Sequence, residues 1–240
     1  PRGHFWTLCW ISFIAATLQY GLTFSGLALM AATPAVLLVQ SEVIFGVIIA
    51  AILLGERPSL RQILGIVMGS CGVVVILGAP ALAGQWLGIG LVLSGALVWA
   101  FGQVLIRRLD GALGGFQLTA WIGVMAGPQM LLASCLIDGN PLPAIQAAPI
   151  EAWLTVIYLG VVMTAIGYSA WYYVLARYPV PMVMPVLLLL PVAAIFGAVT
   201  MLGEVPDPMV LAGGMVVIFG VGVVVVEPAY LLAWWRKKTG

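Results

Sequence analysis

Eight apolar stretches, each long enough to cross a bilayer and each closed off by turn-forming residues, constrain this chain more than any other feature. A spanning helix needs about 20 consecutive, mostly apolar residues. Inside lipid no water satisfies an unpaired backbone group, so stretches of this length are expected to be helical. They fall at 5–30, 33–54, 62–79, 87–105, 116–137, 152–175, 181–202 and 209–227. Between them stand ATP at 32–34, GERPS at 55–59, GAPALAG at 78–84, RRLDGALGG at 107–115, DGNPLP at 138–143, RYPVP at 177–181 and GEVPDP at 203–208. Only 7% of the residues are charged, where a soluble domain carries about a quarter. The expected fold is an all-α integral membrane protein, a polytopic helical bundle.

Eight crossings sort the basic residues. Arg2, Arg57, Arg61, Arg107, Arg108, Arg177, Arg236, Lys237 and Lys238 are all nine of the Lys and Arg residues, and all fall on one side. The positive-inside rule makes that side, and both chain ends, cytoplasmic. One span more or fewer would scramble the separation, so it supports the count independently of hydropathy. Trp6 and Trp10, Trp86 and Trp153, and Trp234 with Trp235 fall at boundaries, where indole rings favour the interface. Cys9, Cys71 and Cys135 lie singly in apolar runs and His4 is the lone histidine, so no disulfide framework, metal motif or cofactor is called for. A net charge of +1 indicates no nucleic-acid partner. The chain opens without Met and without a signal-peptide pattern, and a native start further upstream is expected.

The chain also repeats itself. At an offset of 148, ILLGERPS (52–59) falls on TMLGEVPD (200–207). Gly55 then meets Gly203, Glu56 meets Glu204, Pro58 meets Pro206, Gly65 meets Gly213 and Gly72 meets Gly220; upstream, Tyr20 meets Tyr168 and Ala28 meets Ala176. Five spans separate the two LGE turns, so the copies have opposite topology. Inverted repeats are typical of secondary transporters, whose sites lie near the midplane between the repeats.

ILLGER (52–57) followed by LRQILGIVMGSCGVVVI, and the second copy LGEVPDPMVLAGGMVVIFGVGVVVV, resemble the drug/metabolite transporter superfamily, specifically its EamA-type exporters. LLVQSEVIFGVIIAAILLGER and RYPVPMVMPVLLLLPVAAIFGAVTMLGE are most similar to the branch that exports amino acids and metabolites such as cysteine and O-acetylserine. The resemblance implies ten helices in two inverted sets of five. Residues 1–78 would then hold the last three helices of the first repeat, 79–86 an external linker, 87–228 the second repeat, and 229–240 a basic cytoplasmic tail. Eight spans of an expected ten are present, with the first two helices missing.

Glu42 sits midway along the second span beside Gln40 and Ser41. A carboxylate there costs roughly 3 kcal/mol on insertion scales. Either it hydrogen-bonds to lock helices together, or it meets a substrate ammonium or a proton on the pathway. EamA relatives often carry a neutral residue or proline at this place, so the resemblance assigns the glutamate no role. Its repeat counterpart is Leu190, followed by Pro191. That proline removes one backbone hydrogen bond and is expected to free the Leu187 carbonyl, with Pro185 adding a second break.

Further mid-depth polar and aromatic groups are Gln19, Tyr20, Trp99, Gln103, Gln129, Tyr168 and Tyr172. Trp99 and Gln103 are four apart, as are Tyr168 and Tyr172, so each pair shares a helical face. The resemblance implies a cavity built from these helices, against the plainer reading of each as packing. The glycines Gly65, Gly69, Gly213, Gly214, Gly220 and Gly222 read as close helix contacts; Glu56 and Glu204 as caps or gate contacts; Glu227 as an interfacial charge.

No phosphate-cradling glycine loop is present. Coupling to a proton gradient and facilitated diffusion both stay open, as does oligomeric state. The leading expectation is an inner-membrane secondary exporter of amino acids or related small metabolites, working by alternating access. The alternatives are a multidrug or nucleotide-sugar carrier, and, in a different class, a membrane scaffold or embedded enzyme.

Overall fold

The computed structural model describes residues 5–78, 84–109, 111–137, 139–202 and 205–226 and, within them, all side chains except those of Ala32, Thr33, Ala144 and Leu202. Among the described residues, eight helices are long and apolar enough to cross a membrane: α1 (Phe5–Leu27), α2 (Pro34–Leu53), α3 (Leu60–Leu77), α4 (Trp86–Arg108), α5 (Gly115–Ile137), α6 (Ile150–Leu175), α7 (Val180–Met201) and α8 (Pro208–Val225). Arg2, His4, Gly203, Glu204, Glu227 and the tail with Trp234, Trp235, Arg236, Lys237 and Lys238 lie outside the described residues.

The turns work as their residues demand. Gly55 and Gly78 sit at φ 71° and 74°, where a side chain would be strained. Ser59 and Gln62 form a reciprocal capping box that starts α3. Asp207 accepts from the Met209 N–H at 2.7 Å to start α8. Trp6, Trp10, Trp86 and Trp153 are exposed, as interfacial rings should be.

The repeat is visible in the packing. Helices α3 and α8 match residue for residue at the offset of 148, and they pack antiparallel on each other. A Cβ built on Gly65 would stand 2.6 Å from the Gly220 carbonyl oxygen, and one on Gly220 2.8 Å from that of Gly65. Gly72 and Gly213 repeat this at 2.8 and 2.9 Å. The repeat therefore carries the Gly65–Gly220 contact onto the Gly213–Gly72 contact. The two helices cross the bilayer in opposite directions, as inverted repeats require. Gly69 also makes a close contact, with Leu188, whereas a Cβ on Gly214 or Gly222 would meet nothing within 4 Å. Gly214 is buried and Gly222 half-buried, but neither makes the close helix contact expected of it.

Helix α4 lies antiparallel against α1, with Gly88 and Gly95 meeting Gly26 and Thr23, and Gly102 meeting Ala15. It also packs on α2, and α5 packs on α1 and α6.

Four of the spans are irregular, in repeat-related pairs. Helix α1 widens to π-helical turns over Phe13–Leu18 and α6 over Leu159–Tyr168; shifted by the offset, the first interval falls within the second. Helix α2 breaks at Gln40 and restarts as Ser41–Leu53. Helix α7 tightens to a 3-10 turn over Met184–Leu189 and restarts as Leu190–Leu202. The carbonyl of Leu187, expected to be free, accepts from the Leu190 N–H. The i to i+3 pattern restores what Pro191 removes, as lipid requires of any helix break.

Candidate functional site

The π-helical turns position the tyrosines. Each extra residue in a turn rotates the helix that follows, and such turns recur at functional sites. Tyr20, just past the first, and Tyr168, the last residue of the second, face each other across the repeats with hydroxyl oxygens 3.4 Å apart. Residues exchanged by the repeat that touch one another must lie on its pseudo-twofold axis. In an inverted repeat that axis runs in the membrane plane, so the contact marks mid-depth. Tyr168 continues to Tyr172 with ring centroids 5.6 Å apart, and Tyr20 stacks on Phe24 at the same separation.

A cavity of about 240 Å³ opens beside these hydroxyls, between α1, α5 and α6. Tyr20, Tyr168 and Tyr172 form one wall. Small residues of α1 and α5, among them Ala15, Ala16, Gly123 and Gly127, form the opposite one, and Thr119 and Thr164 add hydroxyls. Thr119 is buried; it donates to the Gly115 carbonyl at 3.0 Å and lies 3.3 Å from the Ser169 hydroxyl. The lining holds no formal charge.

Behind the tyrosine wall lies an aromatic and amide layer. Trp171 donates its indole N–H to Gln103 Oε1 at 2.8 Å, and its ring stands 6.1 Å from that of Trp99. Gln103 is fully buried, and its Nε2 has no hydrogen-bond partner among the described residues. Gln19 donates to the Thr23 hydroxyl at 3.1 Å, while its Oε1 is likewise buried and unpartnered. Each such atom costs about 1–3 kcal/mol. Native proteins retain few of them, mostly where function or an ordered water requires one.

Glu42 is 7% exposed and occupies the first turn of the restarted half-helix Ser41–Leu53. The free N–H groups and dipole of a helix N-terminus favour negative charge, which offsets part of the cost of placing a carboxylate at this depth. Glu42 lies within electrostatic range of Tyr168 and does not line the cavity.

Of the eight residues singled out by sequence, Tyr20, Tyr168 and Tyr172 line the cavity. Gln103 and Trp99 stand behind it through Trp171, and Glu42 approaches from the Tyr168 side. Gln19 lies on the α1 face that packs on α4. Pro191 is buried in the α7 restart, apart from the cavity. Gln129 instead ties α5 to α1, accepting from the Thr17 hydroxyl at 2.8 Å and donating to Ser12 Oγ at 3.3 Å. Sequence reasoning passed over Thr119, Thr164 and Trp171. Trp171 carried one available signal: it precedes Tyr172 in a helix already marked by Tyr168.

One more cluster lies at the end of the bundle that bears Arg57, Arg61, Arg107, Arg108 and Arg177. Glu56 Oε1 accepts from Arg107 Nε at 3.1 Å, and its Oε2 accepts from the Val180 N–H at 2.7 Å. Arg107 Nη1 donates to the Ala176 carbonyl at 2.8 Å. Nearby, Arg61 donates to the carbonyls of Val226 and Val224 beyond and within α8.

Known proteins are similar to this chain in sequence and in fold. The chain is 30% identical over 199 residues to a "probable amino-acid metabolite efflux pump" of Salmonella typhimurium, covering 80% of this chain and 66% of that protein. It is 32% identical over 187 residues to a "probable terminal-alkyne amino-acid exporter" of Streptantibioticus cattleyicolor, covering 77% and 61%. A pump of the first kind from Escherichia coli is 28% identical over 199 residues. The chain spans less than two thirds of the length of these relatives. A solved crystal structure superposes with a TM-score of 0.79 at 21% identity, covering 91% of this chain and 75% of that one; it shows the fold. The EamA-like transporter family model matches residues 1–78 and 86–226. With its inverted helical repeats and this match over nearly its whole length, the chain belongs to the EamA-like transporter family.

Proposed function

We propose that this protein is a secondary exporter of amino acids or related small metabolites, working by alternating access in the inner membrane. The observation that carries the reading is the meeting of Tyr20 and Tyr168 on the pseudo-twofold axis, where both line a cavity at mid-depth. The names of the relatives favour amino acids. The tyrosine and threonine hydroxyls would orient the solute. Glu42, behind Tyr168, would meet its ammonium or take up a proton; Gln19, Trp99, Gln103 and Tyr172 would shape the wall, and Pro191 would keep α7 deformable. The arginine-bearing end would face the cytoplasm.

The domain reading extends the proposal. Helices α4 and α5 cover α1, and α4 covers α2. The repeat counterparts of α1 and α2 are α6 and α7, and the most apolar stretch of α6 buries none of its residues. A further helix pair covering that face would complete two sets of five.

Uptake of labelled amino acids into everted vesicles or proteoliposomes, with the full-length protein and with and without a pH gradient, tests the reading. Accumulation of one or more amino acids is expected. Transport of cationic drugs with no amino acid moved would overturn the substrate class, and transport of neither would overturn the exporter.

A further inference from the structure

We propose that Glu56 and Arg107 form the latch that closes the transport path on the arginine-bearing side; the inference rests on the transporter reading above. Their side chains join four separate pieces of the bundle. Glu56 lies in the turn between α2 and α3, and Arg107 at the end of α4. Between them they hold both ends of the α6–α7 turn: Arg107 takes the Ala176 carbonyl and Glu56 takes the Val180 N–H. The polarity fits. Cations favour the C-terminal end of a helix and anions the N-terminal end, and these are the two kinds of backbone group that helix ends leave unpaired. Both side chains are only 17% exposed, so solvent screens their attraction less than it would on an open surface.

What the latch holds shut follows from α6. Tyr172 and Tyr168 lie one and two turns above Ala176, about 6 and 12 Å along the helix, and both line the cavity. Opening that cavity toward the arginine-bearing side requires the ends of α6 and α7 to leave α2 and α4. Three hydrogen bonds, one of them an ion pair, oppose that movement. A cap serving only the α6–α7 turn would not need both partners on other parts of the bundle.

The test uses the full chain in proteoliposomes, with Cys9, Cys71 and Cys135 replaced by Ser and Thr164→Cys as a reporter in the cavity wall. A membrane-impermeant maleimide is applied to one face at a time. In E56Q and in R107Q, labelling from the arginine-bearing face is expected to rise at least about tenfold, while labelling from the other face falls. R107K keeps the charge but cannot hold Glu56 and Ala176 together, so an intermediate rise is expected, and it carries the same test if E56Q and R107Q fail to reach the membrane. Unchanged labelling overturns the latch. So does a rise on both faces with a lowered thermal midpoint, the mark of a merely structural brace, or a rise on the opposite face. Because the readout needs no substrate, a wrong substrate class leaves it intact.

Discussion

Tyr20 and Tyr168 are 148 residues apart in the chain and 3.4 Å apart at their hydroxyls. A self-contact of this kind places the repeat axis through the cavity wall. At that separation the hydrogen bond is long, so the pair is weakly held and both hydroxyls stay available to a solute. Tyr20→Phe and Tyr168→Phe should each cost at most about 1 kcal/mol of stability. Each should raise the KM for the transported amino acid several-fold, and the double variant should fall short of the summed effects, because contacting residues couple. Thermal midpoints in detergent and initial uptake rates over a substrate series measure both.

Glu42→Gln keeps the shape of the side chain and removes its ability to ionise. Since burying a carboxylate is costly, the variant is expected to be at least as stable as the native protein. Transport should nonetheless fall about tenfold or more, equivalent to about 1.4 kcal/mol. Uptake equal to the native protein from mildly acidic to mildly alkaline pH would remove Glu42 from the pathway.

The α3–α8 seam should tolerate no added methyl groups. Gly72→Ala and Gly213→Ala place a Cβ against the partner's carbonyl at 2.8 and 2.9 Å, and each is expected to cost about 1–3 kcal/mol by overpacking. Gly214→Ala and Gly222→Ala meet no atom within 4 Å. By helix propensity they should stabilise by about 0.5–1 kcal/mol. Thermal unfolding of the four variants side by side gives opposite signs for the two pairs.

Trp171→Phe leaves Gln103 Oε1 buried without its donor, beside an Nε2 that already lacks a partner. A loss of about 1–3 kcal/mol is expected. Adding Gln103→Leu should recover much of it, since removing both partners is nearly neutral where removing one is not. A double-mutant cycle on thermal stability decides.

Span number, and the common end of the bundle reached by Arg57, Arg61, Arg107, Arg108 and Arg177, were legible because both depend on local composition. The repeat could be read from seven matched positions, and its glycines at 65, 72, 213 and 220 announced a seam that the packing contains. Contacts across the bundle were harder to read. Nothing local told Gly214 and Gly222 apart from Gly213 and Gly220, since the difference lies in which helix face a neighbour covers. The π-helical turns over Phe13–Leu18 and Leu159–Tyr168 left no mark in hydropathy, because widening a turn changes neither length nor composition enough to see. Pro185 and Pro191 announced a break in α7, but the switch that returns the Leu187 carbonyl to Leu190 depends on backbone geometry. Thr119 and Thr164 went unnoticed because a single hydroxyl in an apolar run most often bonds its own backbone, as Thr119 also does.

The reciprocal contacts of Gly65 with Gly220 and Gly72 with Gly213 carry a consequence for ancestry. A seam in which one contact is the repeat image of the other is one that two identical polypeptides inserted in opposite senses can share. A gene encoding a single set of helices would thus have possessed its dimer contact before any duplication. Fusion then only needed to join what already fitted. Once joined, the halves were free to diverge: Gly69 in one corresponds to Val217 in the other, and the acid of Glu42 to Leu190.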